Sequence, residues 1–185
     1  GTVRTASTPA LNAVGITQNA GGIAVGGTAT FNAGAGVITL TTATNDFTGA
    51  VSLNNSGANN VSLTDANAIV LGASNVGTGT LTVTATGANS ITQTGAITQT
   101  AAAGAASFTT GAGPITLTNA GNDFTGAVSL NNSGANNVSL TNNVATVLGT
   151  SAVGSGTLQV TSNGPITQSG AITQAAAAGT ATFNA

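Results

Sequence analysis

NDFTGAVSLNNSGANNVSLT spans residues 45–64 and returns letter for letter at residues 122–141. A chain of 185 residues that writes the same twenty residues twice is repeating a structural unit, since a catalytic site is rarely duplicated whole. Asn45 of the first copy answers to Asn122 of the second, and the correspondence extends well beyond the two copies. At the same step along the chain Phe31 matches Phe108, Leu71 matches Leu148, Val76 matches Val153, and Val83 matches Val160. The second copy then drops two residues, so Ile91 matches Ile166 and Phe108 matches Phe183 at an offset of 75. The heptapeptide GTATFNA at residues 27–33 recurs at residues 179–185. The chain therefore reads as one repeat segment with long repeats near 34–110 and 111–185 and a partial repeat over 1–33. The expectation is an internal piece of a longer array, continuing with a GAGxITLT-like stretch.

Inside each long repeat a shorter rhythm appears. Apolar–polar–apolar triplets recur, as in Ile38-Thr39-Leu40, Val51-Ser52-Leu53, Val61-Ser62-Leu63 and Leu81-Thr82-Val83. Short alternating runs are the signature of strands with one buried face. Gly, Asn and Ala-Gly punctuate them, and these are turn formers. No segment carries a helical stripe. Ile38, Val61 and Leu81 follow one another at nearly even steps, and the step from Ile97 to Ile115 is similar. Coils of about 19–20 residues are expected from this rhythm, about four to a long repeat and about nine in the chain. The architecture predicted is an all-β, right-handed parallel β-helix, the hand following from the general rule for parallel crossovers. An antiparallel sandwich uses similar strands, but two-residue hairpin signals are scarce: Asn163-Gly164 is the one clear case, and Pro165 follows it.

The composition agrees with stacking. Charged residues are 2% of the chain: Arg4 is the only base, and Asp46, Asp65 and Asp123 are the only acids. In a parallel stack equal residues form ladders about 4.8 Å apart, where Asn amides bond along the stack and like charges would repel. The same scarcity disfavours several functions. One Arg cannot neutralise a run of phosphates, so no nucleic-acid partner is expected. No His or Cys is present for a zinc site. Nucleophile–base pairs lack their usual residues, so no enzyme and no cofactor are expected. No apolar run reaches the length of a transmembrane helix. With 41% hydrophobic residues and a net charge of −2, the chain should collapse rather than stay disordered.

Phe31, Phe47, Phe108, Phe124 and Phe183 are assigned to the core, and Thr39, Thr82, Thr92, Thr98 and Thr116 to the outer surface. Asp46 and Asp123 share the context Asn-Asp-Phe-Thr-Gly. They are weak candidates for a metal, and the blander reading is an Asx turn. Four coils apart, they would stand roughly 19 Å from each other. Asp65 corresponds to Asn142, so its charge is dispensable to the unit. N-x-S sequons begin at Asn54, Asn60, Asn131 and Asn137. Of these, Asn54 and Asn131 are the preferred glycan acceptors, since the other two adjoin strands.

The stretch GTLTVTATGANSITQTGAITQTAAAGAASFTTGAGPITLTNAGNDFTGAVSLNN, residues 79–132, resembles the repeat region of filamentous-haemagglutinin-type exoproteins. These belong to bacterial two-partner secretion and autotransporter systems. The resemblance covers nearly the whole chain and is one of repeat style, without a short diagnostic motif. It implies a right-handed parallel β-helix, export across the outer membrane, and a secreted or cell-surface role as a rigid stalk, fibre or adhesin. Two functions follow as expectations: a structural filament whose partner is itself, stacked end to end or continuous, or an adhesin segment presenting a surface to a cell-surface or matrix receptor. A Thr-array ice binder is the remote third, because the arrays are uneven: Ser52, Ser62 and Val70 sit at comparable positions. A β-helical polysaccharide lyase would need clustered acids and bases that this chain lacks.

Overall fold

A computed structural model describes residues 3–5 and 10–185, with side chains from Ala10 onwards. Every strand pairing among the described residues is parallel, as in Val61↔Leu81, Ile115↔Val138 and Leu158↔Ala181. No helix is present among them. The expected parallel β-solenoid is therefore the fold. The chain passes back and forth between an eleven-stranded and a ten-stranded sheet, and a three-stranded sheet closes one edge near the start.

The coils are longer and fewer than the sequence rhythm indicates. Val61 stacks on Leu81, but the next rung of that ladder runs from Leu81 to Ala106, a longer stretch of chain. About eight turns result, against the nine expected. The difference has a specific source. The step from Ile97 to Ile115 is not a rung: Ile97 stacks on Ser74, and Ile115 stacks on Ile91.

This changes the meaning of the long repeat. Val61–Asp65 lies in the ten-stranded sheet, whereas its identically placed counterpart Val138–Asn142 lies in the eleven-stranded one. Val51–Asn54 and Val128–Asn131 exchange sheets in the opposite sense. From Val61 the ladder climbs through Leu81 and Ala106 to Val128, three full turns, and Val138 comes half a turn later. The long repeat is thus three and a half turns, not four. Each copy is the previous one turned to the opposite face, and two repeats are needed to return to the same face.

Alternation along each strand builds the core. In Val61–Asp65 and Leu81–Ala85 every second residue is buried. Phe47, Phe108 and Phe124 are at most 1% exposed and Phe31 is 4% exposed, as expected of core residues. Phe183 departs from the expectation at 47%, because its strand Ala181–Asn184 has a neighbour on one side only. Phe31 meets Phe47, and Phe108 meets Phe124, edge to face at 5.8 and 5.7 Å between ring centres. Such pairs add to the stabilisation from burial itself, about 1.5–3 kcal/mol for a large apolar side chain.

The outward Thr residues follow the prediction: Thr82 and Thr116 are exposed, and Thr39, Thr92 and Thr98 are half-buried. Thr39, Ser62, Thr82, Ser107 and Ser129 stack in one continuous file. The amide ladder exists too: the Asn54 amide donates to Asn32 at 2.9 Å, and the Asn32 amide donates to Asn12 at 2.7 Å.

Each Val-Ser-Leu-Asn strand is a fork. Val51 pairs with Leu71 while Asn54 pairs with Asn75, so two short strands share one neighbour. Gly72 fills the gap, since a Cβ there would strike the Ser52 hydroxyl. The Leu53 N–H loses its ladder partner at the fork and donates instead to the buried Ser74 Oγ at 3.0 Å. On the opposite face Leu130 N–H donates to Ser151 Oγ, also at 3.0 Å.

Candidate functional site: the repeated polar corner

The corner entered by Asn-Asp-Phe-Thr-Gly holds the densest polar chemistry of the described residues. Asn45 and Asn122, which open the duplicated stretch, are wholly buried. The Asn122 amide donates to the carbonyls of Leu117 (3.2 Å) and Thr141 (3.1 Å), and to Gln93 Oε1 at 2.9 Å. Its own oxygen accepts from Ile97 N–H at 3.0 Å and from the Gln93 amide at 2.8 Å. Asn45 repeats this set with Leu40, Thr64, Gln18 and Ile23. Each clasp ties three successive stretches of chain together. A buried polar side chain is tolerated because every donor and acceptor is answered.

Asp46 and Asp123 do not come together. They are three and a half turns apart, roughly 17 Å along the axis, and on opposite edges of the solenoid. Asp46 accepts from the Asn67 amide at 2.8 Å. Asn67 corresponds to Val144 in the second repeat, and there the buried Asp123 Oδ1 has no hydrogen-bond partner among the described residues. No group of three or more His, Cys, Asp or Glu gathers among the described residues.

Asp65 matters more than its replacement by Asn142 in the second copy suggests. It is fully buried, and its carboxylate accepts from Phe47 N–H at 3.2 and 3.3 Å. Burial pushes its pKa up to about 6; the N–H groups of Phe47, Asn67 and Ala66 pull it down, and Asp46 adds to the rise. Its counterpart Asn142 is neutral and does more. Asn142 accepts from Phe124 N–H at 2.8 Å and donates to Phe124 C=O (3.1 Å) and Thr146 Oγ1 (3.2 Å). Thr146 then donates to Ser162, and Ser162 to Val144 C=O.

The preferred sequon asparagines end strands rather than standing in turns. Asn54 and Asn131 are half-buried, and their oxygens accept from Asn75 N–H and Ala152 N–H at 3.0 Å. Asn60 and Asn137 are exposed in the following loops, each accepting one backbone N–H.

These corners anchor and align rungs, and their chemistry is that of structural hydrogen bonding in a repeat solenoid. The family comparison agrees with that class. A model described as repeats of unknown function (DUF5649) matches residues 1–54, 58–131 and 135–185, and the chain belongs to this repeat family. The second match opens at residue 58 and the third at residue 135, the same step that separates Asn45 from Asn122. Comparison with curated proteins and with solved structures finds no match.

Proposed function

We propose that this chain is a structural segment of a secreted or surface-borne bacterial β-solenoid, of the filamentous-haemagglutinin kind, that forms a rigid fibre or stalk. Its work is mechanical rather than catalytic. Stacked rungs bury a narrow continuous core and join backbone hydrogen bonds along one axis, so length is gained without a new fold. The observation that carries this reading is the register: the second long repeat re-enters the stack after three and a half turns with its corner and its fork intact. Near-absence of charge supports it, since stacked equal residues do not repel. Repeat stacks of this type gain stability from each neighbour added.

The test is to label intact producing cells with an antibody to the repeat and to image the labelled material by electron microscopy. Surface-attached or shed filaments that carry the label are expected. Label confined to the cytoplasm, or to compact particles, would overturn the proposal.

A further inference from the structure

The ten-stranded sheet carries a second polar file beside the one that runs from Thr39 to Ser129. Thr64 stacks under Thr84, Thr84 under Thr109, and Thr109 under Asn131. The two files lie two residues apart along each strand, so they share the outward face. Every rung of the array has a paired strand on each side: Ile16–Thr17 lies below the first, and Thr146–Leu148 with Ser151–Val153 above the last. The array is internal to the stack. Ser52, Ser62 and Val70, comparable in sequence, do not share a face. Ser52 and Val70 belong to the eleven-stranded sheet, and only Ser62 stands in this array. The unevenness is a property of the other face, where Val70 stacks under Thr92 and Gln159 over Ser139. Here the first file is hydroxyl on every rung from Thr39 to Ser129.

The hydroxyls of the two faces also differ in what they bond. Thr92 and Thr98, on the eleven-stranded sheet, donate to Ile69 C=O and Ser74 C=O at 3.3 Å. The hydroxyls of the two files make no hydrogen bond among the described residues, and none is a buried unpaired atom, so they are open to solvent. Asn131 ends the second file, its oxygen bonded to Ala152 N–H at 3.0 Å. Neighbours along a file stand about 4.8 Å apart, beyond the roughly 3 Å of an O–H···O bond, so they cannot satisfy one another. Water must bridge them. Across the files the step is about 6.8 Å. Water held on this grid repeats in two perpendicular directions, at steps close to those of the oxygen atoms on a prism face of hexagonal ice. No charged side chain stands on the face among the described residues to orient water otherwise, since Asp65, which ends the strand Val61–Asp65, is wholly buried.

We propose that the ten-stranded face holds an ordered water lattice that matches ice, and that through it the solenoid binds the surface of ice crystals. Binding belongs to the array rather than to any one residue. The backbone ladders fix the spacing of the hydroxyls before water arrives, so little ordering is left to be done at contact. The activity is independent of the fibre reading: a filament would carry it, and so would a single segment.

The test is ice-affinity capture. The 185-residue chain is kept in contact with a slowly growing ice crystal, the share of protein taken into the ice is measured, and crystal habit is followed by microscopy. Enrichment in the ice and faceted crystals are expected. Thr82→Tyr and Thr84→Tyr, which raise a bulky side chain in the middle of the grid, should each abolish both. Thr116→Tyr, at an exposed position of the eleven-stranded sheet, should leave both unchanged. Circular dichroism and unfolding midpoints verify that each variant folds; Thr109→Lys replaces a Tyr variant that does not, with the same loss expected. A folded chain that is excluded from ice and leaves the crystals round overturns the proposal. So does capture that the Thr82 and Thr84 variants leave intact, or that Thr116→Tyr removes equally. Self-association that the Thr82 and Thr84 variants abolish, with no capture by ice, would make the face a contact between copies and overturn it as well.

Discussion

Residues 45–64 and 122–141 carry the same side chains on opposite faces of one solenoid. Both bury their leading Asn in a five-bonded clasp, both pair their Phe edge to face, and both fork at Val-Ser-Leu-Asn. They diverge just past the identical stretch. Asp65, Asn67, Ile69 and Ala85 in the first repeat become Asn142, Val144, Thr146 and Ser162 in the second. The first corner holds a buried acid beside an apolar wall. The second holds a neutral hydrogen-bonded chain from Asn142 through Thr146 and Ser162 to the Val144 carbonyl. Backbone geometry is nonetheless the same, with Phe47 N–H and Phe124 N–H each bonded to the residue at that position. The shared residues fix the path of the chain, and the divergent ones set charge and pH response.

The comparison predicts a graded set of effects. Asn122→Leu strands Ile97 N–H and the Leu117 and Thr141 carbonyls in the core, and it should cost about 3–5 kcal/mol in denaturant unfolding. Asn45→Leu should match it to within about 1 kcal/mol, because the clasps are equivalent; a large gap would break the equivalence. Ser151→Ala and Ser74→Ala each leave one buried N–H unanswered at a fork. A loss of about 1–3 kcal/mol is expected for either, with hydrogen exchange rising first at Leu130 or Leu53 respectively.

The acid corner is where the copies should differ. The Asp65 pKa is about 6 in the fold against an ordinary value of 3.8, so the folded state holds this proton more tightly than the unfolded chain. Its stabilising effect is fully present below about pH 4 and is lost as pH rises through about 6. Asp65→Asn, which copies the second repeat, should therefore raise stability at pH 7.5 by about 1–2 kcal/mol and flatten the profile between pH 4 and 7. Asn142→Asp should impose the reverse. The smallest change expected is from Val144→Asn, which offers Asp123 the partner that Asn67 gives Asp46. A gain of about 0.5–1.5 kcal/mol would show the orphan oxygen to be a defect of the second copy, and no gain would show that its missing partner costs the fold nothing.

Much of this was legible from residues alone. Alternating triplets such as Val61-Ser62-Leu63 announced strands, and the paucity of charge announced stacking. The handful of Phe residues marked the core, Phe183 apart. The half-turn was not legible, because a triplet carries no label for the face it lies on. Ile97-Thr98-Gln99 looks like a rung of its own but shares a rung with Ile91. The clasps were hidden for a different reason. Gln18 is far from Asn45 along the chain, and Gln93 is as far from Asn122, so only the register brings them together. The recurrence of Ile-Thr-Gln ahead of each Asn-Asp-Phe was the available signal. The place of Asp65 is hidden in the sequence because its replacement by Asn142 in the sister repeat looks like indifference, when it marks a buried position that prefers a neutral side chain.

The half-turn relation between repeats is the central claim, and helical reconstruction of the assembled material by cryo-electron microscopy tests it directly. A rung spacing of about 4.8 Å is expected, with a repeat that rises roughly 17 Å while rotating about half a turn, so that the pattern recurs after roughly 34 Å. A repeat that rises roughly 19 Å with no rotation would mean four whole turns per long repeat and would contradict it.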